Sequence, residues 1–232
     1  MPEFTDENAI VLSSKPLGEA AYILSLFTPN HGRHLGVIKK KHPPEIGTLC
    51  HVTWKARLSE QLGSFYLEEV KSYAPLLLDD MPRLHVLANL CATLDKVLPE
   101  RQDYPELHKK TLEFLENLDQ EPFYSNYIRF ELDLLTAIGF ALDMTTCAAG
   151  GDNHDLAYIS PKTGRAVSRE KGRPYHNQLL KLPRFLWQEA TATNEDLKDG
   201  LTLTGHFLYK HLGQLPYTRA HLFNDIDRRK NG

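Results

Sequence analysis

The stretch AYILSLFTPNHGRHLGVIKKK, residues 21–41, decides how the first third of the chain is read. Tyr22, Leu24 and Leu26 alternate with Ile23, Ser25 and Phe27, the period-two pattern of a strand. Pro29, Asn30 and Gly32 interrupt it with turn chemistry. The chain returns over residues 33–38 and runs straight into Lys39, Lys40 and Lys41. Pro43 and Pro44 then stop further pairing, because proline brings no amide proton to a ladder. The pattern predicts a hairpin that delivers a positive cluster to its end. Such a cluster either holds a polyanion or is a solvated loop.

Working outward, residues 9–12 read as a short strand before the hairpin. Residues 49–58 follow it, with Val52, Trp54, Ala56 and Leu58 on one face and His51, Thr53, Lys55 and Arg57 on the other. Gln61, Leu62 and Gly63 make a turn, and residues 64–73 return. Five short strands in about seventy residues predict a small barrel of the OB type. Periodicity does not separate it from an SH3-like barrel. Trp54, on the apolar phase, is assigned to the core. Tyr22 and Tyr66 are candidates for exposed rings on which bases stack.

The character changes near Pro75. Leu84, Leu87, Leu90, Leu94 and Val97 fall at helical spacing, with Pro82 as a helix start. Helices are also predicted over residues 104–118 and 122–138. Ile128, Leu132, Leu135 and Ile138 are the buried face of the latter, and Gly139 is its terminator. Residues 140–175 are rich in Gly, Asp, Asn, Ser and Pro and read as loops or a small β subdomain, in which residues 157–160 pair with 165–168. Asn194 is predicted to cap a helix carrying Leu197, Leu201, Leu208 and Leu212, closed by Gly213. A short helix over 218–226 precedes the tail RRKNG, which is expected to fray.

At 232 residues, 41% hydrophobic and 25% charged, the chain can bury a sizeable core as one large domain or two small ones. The apolar runs are too short for a membrane span, and the N-terminus has no basic secretory region. Three scattered cysteines give no disulfide framework and fit a reducing, cytoplasmic compartment. The formal net charge is −3, so any nucleic-acid surface must come from local segregation. Two segments show it. Residues 31–57 carry six Lys or Arg against one acid, Glu45, and residues 162–184 carry seven against one, Glu170. Together they point to a polyanion footprint; the alternative is two solvated faces that never meet.

Enzyme chemistry is not indicated. No phosphate-binding, nucleophile-elbow, zinc-protease or dinucleotide motif occurs. His31 and His34 are spaced H-x-x-H, with His42, Cys50 and His51 beyond, and Cys147 and His154 lie further on. No second ligand pair accompanies either group, so a metal site is not expected.

The order and spacing of several motifs resemble the bacterial recombination mediator family RecO, in a proteobacterial form, across nearly the full length. The N-terminal run IVLSSKPLGEAAYILSLFTPNHGRHLGVIKK looks like the start of that family's OB domain. YIRFELDLLTAIGFALDMTTC, residues 127–147, resembles its Arg-Phe-Glu helix and is the most specific match. AYISPKTGRAVS and FLYKHLGQLPYTRAHLF resemble later segments. The resemblance implies an α+β multidomain chain. An N-terminal OB-fold barrel at residues 1–80 would be followed by a helical domain at 81–232, with a zinc-finger-like insertion at about 144–175. It implies a non-enzymatic role in homologous recombination repair and a cytoplasmic, nucleoid-associated location. The implied partners are single- and double-stranded DNA, RecR, the acidic C-terminal tail of single-strand binding protein (SSB), and RecA indirectly. Annealing of complementary strands and loading of RecA on SSB-coated DNA come with it.

Two departures stand out. Many family members hold zinc in the insertion through four cysteines, whereas here only Cys147 matches, Gly150 stands three residues on, and no second pair occurs around residues 167–170. The insertion is therefore expected to be metal-free, with no cofactor. The basic loop after Ile38 is also shorter than usual. First-choice phosphate contacts are Arg33, Lys39, Lys40, Lys41, Lys55 and Arg57; second are Lys162, Arg165, Arg169, Lys171 and Arg173. Arg129, with Leu132 beside it, is implied at the SSB-tail pocket. The runner-up is an RNA-binding or translation-associated OB protein, and a metal-dependent nuclease is third.

Overall fold

The computed structural model describes residues 2–229. The chain divides into two compact units, residues 1–119 and 120–232.

The first unit is built on five strands, β1 (Glu3–Pro16), β2 (Tyr22–Thr28), β3 (Gly32–Ile38), β4 (Thr48–Lys55) and β5 (Ser64–Ser72). They close into a barrel in the order β1-β2-β3-β5-β4. All neighbours are antiparallel except β3 and β5, which meet in parallel at Val37 and Ser64. That closure is the OB topology and removes the SH3-like alternative. The first strand is far longer than the expected residues 9–12. It pairs with both β2 and β4, and to do so it shifts register between Asp6 and Ala9 and again between Val11 and Ser13. Such irregularities break the alternation from which a strand is read.

The barrel is filled by Ala9, Val11, Leu24, Leu26, Ile38, Cys50, Val52, Trp54, Ala56 and Phe65. Gly36 is required there, since a Cβ would stand 2.6 Å from the Phe65 ring. Trp54 is buried as expected, but Leu58 lies beyond the end of β4 and is exposed. Phe27, on the other face of β2 from Leu24 and Leu26, is buried too, with its ring 5.0 Å from that of His108.

That second apolar face is explained by α1 (Met81–Val97) and α2 (Pro105–Glu116), which belong to the first unit. The boundary expected at 80/81 marks the change from strand to helix, whereas the compact unit runs on to Asp119. Asp80 caps α1 by accepting from the Arg83 N–H at 3.2 Å, with Pro82 in the first turn.

The second unit holds α3 (Phe123–Ala137), α5 (Asn194–Leu212) and α6 (Arg219–Arg228). Between α3 and α5 lies a small sheet of β6 (Leu156–Ile159), β7 (Ala166–Ser168) and β8 (Leu180–Lys181), in the order β7-β6-β8, with the one-turn helix α4 (Arg169–Gly172). The first two strands match the expected pair; β8, two residues long, had no readable period. The buried stripe of α3 runs through Tyr124, Tyr127, Ile128, Glu131, Leu134 and Leu135, leaving Leu132 and Ile138 half-buried. Glu131 is fully buried because Arg219 bonds both its oxygens, with help from Tyr127 and Thr204. One ion pair thereby joins α3, α5 and α6. Gly139 and Gly213 sit just past their helices at φ +87 and +72, the left-handed stop that glycine adopts freely. The tail expected to fray begins inside α6, which ends at Arg228; residues 230–232 lie outside the described residues.

Candidate nucleic-acid and protein interface

The cations of the first segment do not form one class. β3 leaves Lys39 and Lys41 in the stretch beyond Ile38, and neither pairs with a carboxylate among the described residues. Arg57, past the end of β4, is exposed and likewise without an ion pair there. Lys40 reaches Glu69 on β5 at 2.9 Å, and Lys55 reaches Glu3 on β1 at 2.8 Å. Glu3 raises the Lys55 pKa through that bond. Both pairs are solvent-exposed, and exposed pairs are worth at most about 1 kcal/mol, so either lysine can exchange its acid for a phosphate. Tyr66, 64% exposed, stands opposite Thr53 across β4 and β5. Tyr22 is half-buried.

Arg33 is different and leaves the phosphate set. Its Nε donates to the Leu98 carbonyl at 2.8 Å, and its Nη1 lies 3.5 Å from Asp95 and from Ser25 Oγ. It fastens β3 to the end of α1. The H-x-x-H spacing likewise dissolves. His31 Nδ1 meets the buried Asp6 carboxylate at 2.6 Å, while His34 points among the barrel's rings. Among the described residues no three His, Cys, Asp or Glu converge as a metal-holding group.

In the second segment Lys162 and Arg173 have no ion pair among the described residues. Arg165 lies 3.4 Å from Asp143, Arg169 3.2 Å from Asp155, and Lys171 3.9 Å from Glu170. Charge counts along the chain miss the first two acids, because Asp143 and Asp155 lie before the window.

Residues 144–175 do not present a zinc donor set. Cys147 is a lone buried thiol, and Val167, Ser168, Arg169 and Glu170 stand where the second pair would be. Burial pushes its pKa up. The backbone N–H and hydroxyl of Ser168, with the N–H groups of Ala149 and Gly151, outweigh that and bring it down to about 7. The Ser168 N–H donates to Sγ at 3.2 Å.

Arg129 projects from the exposed side of α3. Its Nη2 donates to the Phe185 carbonyl at 2.8 Å and its guanidinium lies 5.5 Å from that ring's centre, so it does not rest on Asp133. It borders a hollow of about 340 Å³ walled by Pro122, Tyr124, Ala190 and Leu197. Arg229 borders the same hollow, with its guanidinium over the rings of Phe123 and Tyr124 and 3.8 Å from the carboxylate of Glu121, which also lines it. Leu132 does not line it. Arg229 escapes a reading of the sequence because it sits in the stretch expected to fray, where the neighbouring polar residues carry no helical period. Among the described residues no helix is long and apolar enough to cross a membrane.

Residues 1–73 match the family model "Recombination protein O N terminal", and residues 78–220 match "Recombination protein O C terminal". A "DNA repair protein RecO" from Rhodospirillum centenum is 44% identical over 226 residues, covering 94% of this chain and 90% of the relative. One from Rhodospirillum rubrum is 40% identical, covering 91% and 89%. One from Cereibacter sphaeroides is 39% identical over 240 residues, covering 98% of this chain and all of the relative. With an OB barrel at its N-terminus, a helical unit after it and both family models matched in order, the chain belongs to the RecO family.

Proposed function

We propose that this protein is a DNA-binding mediator of homologous recombination repair that performs no covalent chemistry. It anneals complementary strands and, with RecR, helps load RecA onto DNA coated by SSB. The OB unit holds the DNA backbone through Lys39, Lys41 and Arg57, with Lys40 and Lys55 joining as their surface acids are displaced. The second unit receives the SSB tail. The observation that carries this reading is the hollow flanked by Arg129 and Arg229. A peptide ending in acids, a phenylalanine and a free carboxylate needs a cation beside apolar walls, and an arginine meets a carboxylate through two parallel N–H groups. Leu132, half-buried one turn further along α3, supports the helix rather than the pocket.

The test separates the two surfaces. Arg129→Glu abolishes binding of a labelled SSB-tail peptide in fluorescence anisotropy and leaves oligonucleotide binding largely intact. Replacing Lys39, Lys41 and Arg57 by Ala does the reverse. It weakens DNA of any sequence and lowers the salt slope by roughly 0.7–0.9 for each phosphate that is no longer neutralised. Undiminished peptide binding by Arg129→Glu places the partner elsewhere, and an unchanged salt slope removes the barrel cluster from the DNA site. A preference for RNA over single-stranded DNA moves the reading to an RNA-binding protein.

A further inference from the structure

We propose that the hollow beside Tyr175 seats one unpaired nucleobase, with the flanking phosphates held by Lys162 and Lys171. This rests on the DNA-binding reading and narrows it to single strands at this place. The hollow, about 380 Å³, lies between the β6–β7 turn and the 3-10 turn Arg173–Gln178. Its walls are mostly apolar, from Ala148, Ala149, Pro161, Val167 and Leu179, with Ser160 and Thr163 between them. Tyr175 forms one side, is 59% exposed and makes no hydrogen bond among the described residues. Such a ring is poised to stack rather than to support the fold.

The charge is one-sided. Lys162 and Lys171 line the hollow and no acid does. Glu170 stands 3.9 Å from Lys171 Nζ, beyond hydrogen-bond range, so that lysine is not held back. Arg173 begins the turn that carries Tyr175. The rim is fixed from α5. His206 Nε2 lies 3.4 Å from the Pro161 carbonyl, and Lys210 Nζ donates to the Lys162 carbonyl at 3.3 Å, bringing a third ammonium group to the rim. The turn itself is closed by the Gly164 N–H donating to the Ser160 carbonyl at 2.9 Å.

An aromatic side, apolar walls and an ammonium rim fit a base and its phosphates. Stacking accepts any base, since every base has a π face, and lysine serves as a point charge for phosphate. The Gln178 amide, also in the lining, can meet the polar edge of the base. A carboxylate-ended peptide is better served by the arginine forks of the other hollow. A duplex keeps its bases stacked inside and offers none to this seat.

The experiment uses the full chain and three labelled probes: oligo-dT, an abasic strand of equal length and a blunt duplex. Tyr175→Ala lowers affinity for oligo-dT about five- to hundred-fold, the range of one base–aromatic stack, and leaves the other two unchanged. Tyr175→Phe keeps oligo-dT binding. Lys162→Ala with Lys171→Ala lowers the salt slope on oligo-dT by roughly 0.7 for each lysine removed. No loss on oligo-dT, or an equal loss on all three probes, overturns the base seat. Failure of the unmutated protein to bind any probe overturns the DNA-binding reading itself.

Discussion

His34 is buried inside the OB barrel at 5% exposure, and neither ring nitrogen has a hydrogen-bond partner among the described residues. It lies edge-on to Trp54 at 4.7 Å and to Phe4 at 4.9 Å. Burial, and then the nearby Arg101 charge, push its pKa down from 6.5 to about 4. Between those values the unfolded chain takes up a proton that the folded chain refuses, so stability falls as pH falls. The contribution is complete above pH 6.5 and lost by about pH 4, with an upper limit of roughly 3 kcal/mol. His108, also lowered by burial, acts in the same direction. His34→Phe should therefore flatten the acid limb of a urea-denaturation series between pH 6.5 and 4. An acid limb as steep as before would show that other groups set it. Sequence spacing alone pairs His31 with His34 as a weak metal motif. Which histidine faces Asp6 and which faces the core depends on a turn that spacing does not encode.

The helices show where reading by pattern succeeds. Pro82 at the start of α1 and Gly213 after Leu212 are local signals, and each end falls within a residue of where the sequence places it. The start of α5 is one residue off: Thr193 is the cap, not Asn194. Thr193 Oγ1 accepts from the Asp196 N–H at 3.1 Å, while Asp196 accepts from the Thr193 N–H at 3.0 Å. Both candidates are capping residues, and only the acid three positions on decides between them. Asn194 instead donates its amide to the Arg229 carbonyl at 3.0 Å. Thr193→Ala should lower stability by about 1 kcal/mol in thermal denaturation, while Thr193→Ser keeps it. A cap contribution near zero would mean that α5 is held by burial of Leu197, Leu201 and Leu208 alone.

At the scale of the molecule, the alternation of the five strand segments between residues 9 and 73 is enough to give a small barrel, and the family motifs give its OB type and its neighbours. The extent of the first compact unit is not legible. Helical periodicity in α1 and α2 says that each buries a face, not what that face meets. The Arg33 bond to the Leu98 carbonyl, the packing of Phe27 on His108 and the bond between His108 Nε2 and the Asn8 carbonyl at 2.9 Å give the answer. The proposed phosphate set is legible only as an excess of charge. Which cations are tied down depends on acids that the fold brings in from other strands. A fragment of residues 1–119 should therefore unfold cooperatively in urea, whereas residues 1–80 should aggregate or bind an apolar dye, because the cover over Phe27 is gone. A stable, dye-silent 1–80 fragment would show that the barrel needs neither helix.

The two tryptophans, Trp54 and Trp187, fall one to each compact unit. Trp54 has the ring of Phe4 at 5.6 Å and the guanidinium of Arg101 at 5.7 Å, and donates its indole N–H to the Leu62 carbonyl at 3.0 Å. The Trp187 indole nitrogen is buried with no acceptor among the described residues. The chain thus carries two tryptophan fluorophores in unlike surroundings. Replacing either by Phe leaves a single tryptophan, so emission excited beyond the tyrosine absorption band then follows the melting of one unit without any added label.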